Sequence, residues 1–95
     1  MPFIQQEPRP FTRHDVESLN PNQLGVYGLF KRDVWIYVGK GDIRKRLLEH
    51  LNGDNFCITR EQPTYWVGEV ISGDPSAREK ELIDELRPLC NQRVG

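Results

Sequence analysis

Ninety-five residues, 37% apolar and 28% charged, fit one domain with a single modest core, because a chain of this size buries roughly 60–65% of its unfolded surface. A net charge of −1 lacks the strong basic excess that marks many nucleic-acid binders, and no run approaches the roughly 18 apolar residues of a membrane helix. Met1 to Pro10 offers prolines, glutamines and charges in place of an apolar leader, so the expected setting is cytoplasmic, with no membrane partner. Cys57 and Cys90 have neither close spacing nor paired histidines; two free, partly buried thiols are expected, not a zinc site.

The first 22 residues are punctuated by Pro2, Pro8, Pro10 and Pro21 and read as an N-terminal arm packed on a domain spanning 23–95. Within the arm only Thr12 to Leu19, with Thr12 as N-cap, suggests a helical turn. A strand is predicted from about Gly25 to Phe30 and a second from Val34 to Val38, joined by Lys31-Arg32-Asp33 as a three-residue hairpin turn. Pairing Phe30 with Val34 sets Tyr27 directly opposite Tyr37, so both phenols share one face.

Gly39, Gly41 and Asp42 follow as a tight turn, with Asp42 capping a helix from Ile43 to Leu51. Its apolar side is Ile43, Leu47, Leu48 and Leu51, and Arg46 and His50 sit four apart on the flank of that stripe. Arg44 also projects near the apolar side, so periodicity does not choose between the arginines. The ordinary expectation for His50 is a partly covered surface residue. Gly53 suits the left-handed position after the helix. A loop comes next, then Tyr65 to Ile71 as a third strand and a second helix from Ser76 to Leu86, stopped by Pro88 and Asn91. The order β-β-α-β-α predicts an α+β fold, a three-stranded antiparallel sheet flanked by helices.

Charge is unevenly placed. Residues 31–50 carry six Lys or Arg against three acids, and residues 69–87 carry six acids against three basic residues. That pattern reads as two solvated helix faces, or as a phosphate track beside a cation site. Glu79 is the odd residue: it falls in the middle of the stripe made by Leu82, Ile83, Leu86 and Cys90, while Glu81, Asp84 and Glu85 point away. A core-facing carboxylate is costly unless a cation compensates it. Taken alone, Glu79 also reads as an acid favouring the helix N-terminus; beside two tyrosines, a metal ligand becomes the better reading.

Gly25-Val26-Tyr27, Tyr37-Val38-Gly39, Lys40, an arginine on the next helix, and the stretch from Glu79 to Asn91 together resemble a GIY-YIG nuclease domain, with Val for Ile in both triplets. The stretch beginning at Glu79 is similar to the corresponding helix of the nuclease subunit of bacterial excision repair. This resemblance implies hydrolysis of DNA phosphodiesters with one divalent ion, Mg2+ or Mn2+, held by Glu79. It further implies that Arg46 faces the scissile phosphate and that Tyr27 and Tyr37 line the site, one taking the proton of the attacking water. Lys40 would depress that phenol's pKa or touch phosphate, His50 would touch substrate or leaving group, and Asn91 would brace the site. Arg46 is chosen by aligning the helix, with Arg44 as competitor.

The chemistry asks for such a set: an activated water, a counter-charge for the equatorial oxygens and stabilisation of the leaving alkoxide. One carboxylate suffices for a hydrated magnesium, and the guanidinium fork matches phosphate oxygens. DNA is the expected partner, with a second protein supplying specificity. Trp35 and Trp66 read as core or as base-stacking platforms. The alternative function is an idle copy of the scaffold, serving as a nucleic-acid-binding or protein-interaction module.

Overall fold

The computed structural model describes residues 3–91. The first hairpin is longer than the apolar runs suggest: β2 covers Leu24–Lys31 and β3 covers Val34–Asp42. Only Arg32 and Asp33 form the turn, with Arg32 at φ 52°, because Lys31 pairs with Val34. The expected three-residue turn is therefore one residue too long. A bulge follows, so Phe30 pairs with Trp35 but Leu29 with Tyr37 and Tyr27 with Gly39. The extra residue on β3 is Ile36, and it sends Trp35 and Tyr37 to opposite faces although they are two apart. Tyr27 and Tyr37 are diagonal neighbours, not directly opposed, and they still share a face with ring centroids 6.3 Å apart.

The segment from Gly39 to Asp42, expected as a tight turn, continues β3 and pairs with β2 as far as Leu24. Asp42 then caps α2 (Ile43–Leu51), its side chain accepting from the amides of Lys45 and Asn22. Gly53 takes the left-handed conformation at φ 85°. In place of the expected loop there is a further short helix, α3 (Phe56–Glu61), whose N-cap Asn55 accepts from the amides of Cys57 and Ile58. β4 (Tyr65–Val70) runs antiparallel to β2, and α4 (Ser76–Leu86) leads to a 3-10 turn at Leu89–Asn91.

Residues of the arm complete the sheet. A two-residue strand, β1 (Arg9–Pro10), pairs with β4, giving a four-stranded antiparallel sheet in the order β1-β4-β2-β3. Thr12 caps α1 (Arg13–Glu17), which packs against α2. The sheet separates two apolar clusters. One face packs Val16, Tyr27, Leu29, Ile43, Leu47, Ile58 and Trp66 beneath α1, α2 and α3. The other packs Val26, Val38 and Val67 against Leu82 of α4 and Phe3 of the arm. Both tryptophans are packing residues: Trp66 is buried and donates to Asp15, and Trp35 lies between Phe3 and Phe30. No described helix is long and apolar enough to cross a membrane.

Cys57 and Cys90, expected as free thiols, are joined in a disulfide with their Cα atoms 5.7 Å apart. The pairing is tertiary, since α3 and the C-terminal 3-10 turn meet beside β3 although the cysteines lie 33 positions apart. Spacing along the chain carries no trace of it.

Candidate active site

Both motif glycines are demanded by close approach. A Cβ on Gly25 would stand 1.9 Å from the Glu69 carbonyl oxygen on β4. A Cβ on Gly39 would stand 2.3 Å from the Tyr27 hydroxyl and 2.8 Å from the Tyr37 ring. The bare backbone at Gly39 is thus the floor on which the two phenols lie.

Tyr27 is fully buried, and its hydroxyl lies 2.7 Å from His50 Nε2. His50 is 3% exposed, which corrects the expectation of a surface histidine; its Nδ1 lies 2.8 Å from Asp54 Oδ1. Burial pushes the Tyr27 phenol far above its ordinary pKa, with the Tyr37 charge adding to that push and Arg46 opposing it. Burial also lowers the pKa of His50, against the pull of Asp54, so the imidazole is neutral at pH 7.

Tyr37 is half-buried, its ring set edge-on to His50 with centroids 5.2 Å apart. Burial raises its pKa, Arg46 pulls it down and the nearby Glu79 raises it again. Arg46 is therefore the cation that faces both hydroxyls, which separates it from Arg44. Burial opposes its charge, but Tyr27 and Glu49 outweigh that, and the guanidinium stays charged. Arg46 Nη1 is 2.5 Å from Glu49 Oε1 and 4.0 Å from Asp54 Oδ2.

Lys40 stands on the edge strand, exposed, donating to Ser76 Oγ at 2.5 Å with Glu79 Oε1 3.9 Å away. Of the two cations, Arg46 is the one whose charge bears on both phenols. Glu79 occupies the first turn of α4 with its side chain 22% exposed. Burial holds its carboxyl above the ordinary carboxylate range, against Lys40. Among the described residues this carboxylate accepts no hydrogen bond and is met by Lys40 at 3.9 Å. No group of three or more His, Cys, Asp or Glu able to hold a metal occurs among the described residues, so any ion here would keep most of its shell as water.

Asn91 serves the backbone. Its Oδ1 accepts from the Val38 amide at 2.8 Å and its Nδ2 donates to the Val38 carbonyl at 3.0 Å, so one side-chain amide caps an open stretch of the edge strand next to Gly39. Sequence reasoning brought Tyr27, Tyr37, Lys40, Arg46, His50, Glu79 and Asn91 into view but missed Asp54. The signal available was its place four residues beyond His50, just after the helix-ending Gly53.

No protein-family model matches the chain, and a search of curated proteins finds no match. Solved structures do match. A point mutant of the GIY-YIG N-terminal endonuclease domain of UvrC from Thermotoga maritima, bound to its catalytic divalent cation, superposes with a TM-score of 0.72 at 27% identity, covering 86% of this chain and 100% of that one. The magnesium-bound form of that domain gives 0.72 at 26% identity over 85% of this chain and 100% of its own. The architecture described above, an antiparallel sheet flanked by helices with paired tyrosines on its β2–β3 hairpin, is the GIY-YIG endonuclease fold, and the chain is a structural match to the nuclease domain of UvrC.

Proposed function

We propose that this chain is a divalent-metal-dependent endonuclease that hydrolyses DNA phosphodiester bonds through a water activated by a tyrosine. The observation that carries the reading is the convergence of Tyr37, Arg46 and Glu79 from a strand and two separate helices. It is supported by the fold shared with a domain whose solved forms hold a catalytic divalent cation.

Tyr37 is the better base of the two phenols: Tyr27 is sealed and already engaged with His50, whereas Tyr37 is partly open and lies within the field of Glu79. Arg46 stabilises charge on the equatorial phosphate oxygens, and the phosphate competes with Glu49 for its guanidinium. Glu79 would hold the ion, Mg2+ or Mn2+, which would supply charge stabilisation and a more acidic water. Lys40, at the exposed rim, contacts DNA phosphate, a sequence-independent interaction weakened by salt. Target choice then falls to a protein partner, and DNA repair is the setting in keeping with the UvrC likeness. A cytoplasmic location belongs to the same reading, with the Cys57–Cys90 bridge as the feature it must accommodate.

The test is nicking of supercoiled plasmid with magnesium or manganese. Wild type should cleave and Glu79→Ala should lose about 10²–10³-fold or more in kcat. Wild type as inert as the variant would sink the enzyme reading, and full cleavage by Glu79→Ala would remove Glu79 as the metal ligand.

A further inference from the structure

Helix α2 does not end at His50; the chain turns through Asn52 and left-handed Gly53, with the Asp54 amide donating back to the Glu49 carbonyl at 3.2 Å. That turn folds Asp54 under the imidazole four residues earlier, and its carboxylate meets His50 Nδ1 at 2.8 Å. The groups facing His50 are Tyr27 from β2, Tyr37 from β3, Arg46 and Glu49 from α2, and Asp54 itself. Of these, Asp54 is the anion hydrogen-bonded to the ring, and a carboxylate only accepts.

We propose that Asp54 is a positioning residue that fixes the tautomer of His50 and, through it, the direction of the Tyr27 hydroxyl and the seat of Arg46. With a neutral imidazole beside a carboxylate, the chain of atoms has one polarity. His50 Nδ1–H donates to Asp54, so Nε2 is bare and accepts the Tyr27 proton. The lone pairs of the Tyr27 oxygen are then left for the Arg46 guanidinium, which faces that oxygen. Reversing the first link reverses all of them: an Nε2–H would donate to the Tyr27 oxygen and drive the hydroxyl proton toward the arginine. Asp54 Oδ2, 4.0 Å from Arg46, anchors the chain's other end to the same guanidinium. The consequence for cleavage rests on the nuclease reading, while the tautomer itself does not.

The experiment reads both. In ring-nitrogen-labelled protein near neutral pH, proton–nitrogen correlation should show wild-type His50 protonated at Nδ1. In Asp54→Asn, the amide oxygen is drawn toward Arg46 and the NH2 is presented to Nδ1, so the proton should move to Nε2. Asp54→Ala, which removes the acceptor outright, should lose the Nδ1–H form as well, and Asp54→Glu, which keeps a carboxylate, should retain it. In plasmid nicking, the Asn and Ala variants should lose at least about tenfold in kcat with KM for DNA little changed. Retention of the Nδ1–H form in both the Asn and Ala variants overturns the proposal, as does a moved proton with wild-type kcat. An inert wild type would fail the nuclease reading alone, with the tautomer still decided by the spectrum.

Discussion

The candidate site has two halves built to opposite rules. Tyr27 and His50 form a sealed half, whose buried polar atoms are consumed by one another and by Asp54, a more exposed carboxylate at its border. Tyr37, Lys40 and Glu79 form an open half on the edge strand and the adjoining helix turn, where polar atoms are underused and charges only loosely paired. Arg46 faces both. The contrast separates fixing geometry from doing chemistry. A satisfied buried network holds atoms still because each broken link strands a partner, whereas a reacting group needs spare capacity and access.

The sharpest way to break that division is to remove each hydroxyl in turn. Tyr37→Phe should lower kcat for plasmid nicking by about 10²–10⁴-fold, the range of a lost general base, with little change in stability. Tyr27→Phe should cost about tenfold in kcat but about 1–3 kcal/mol in urea denaturation, since His50 Nε2 is left buried without a partner. Equal, negligible losses from both would remove the phenols from the mechanism, and a larger kcat loss from Tyr27→Phe would exchange their roles.

The disulfide sharpens the comparison from outside. Cys90 immediately precedes Asn91, whose amide holds Val38 on the open side, whereas the sealed half is held by α2 and its own turn. Reduction, or paired Cys57→Ser and Cys90→Ser substitution, should lower stability by about 2–4 kcal/mol, read from the urea midpoint. Amide exchange should quicken at Val38 before it changes at Leu47. Unchanged stability on reduction would show that the bridge contributes nothing to the folded state.

Much of this division was written in the chain. α2 and α4 came out at the residues expected because their signals are local: the Asp42 cap, a run of leucines at helical spacing, and breakers at Gly53 and Pro88. Glu79 stood out because a carboxylate interrupts an apolar stripe. The hairpin register was harder. The turn is one residue shorter than expected and the bulge adds one residue, and each alone would have put Tyr37 on the wrong face. Together they displace the register by two and restore it. What sequence could not convey was tertiary: the Cys57–Cys90 pairing, the return of Asp54 under His50 and the addition of Arg9–Pro10 to β4 all depend on segments meeting only after folding.

The smallest effect is expected at a clasp that touches neither phenol, and it serves as their control. On the opposite side, Glu69 is buried and accepts from Arg78 at 3.0 and 2.9 Å and from the Ile4 amide at 2.8 Å, clasping the arm beside Phe3, which stacks on Trp35. Arg78 and the Ile4 amide hold the Glu69 carboxyl below its ordinary range, against burial. A depressed folded-state pKa means that its stabilisation is complete above the unfolded value, about 4.3, and fades as pH falls through the folded value. Glu69→Gln should therefore be less stable than wild type by about 1.5–3 kcal/mol at neutral pH, and the gap should close as acid is added. Urea midpoints across that range measure it. Nicking by Glu69→Gln at neutral pH should stay at the wild-type rate, because the clasp reaches neither Tyr27 nor Tyr37; a rate that fell with the clasp would join the arm to the site and blur the two halves into one.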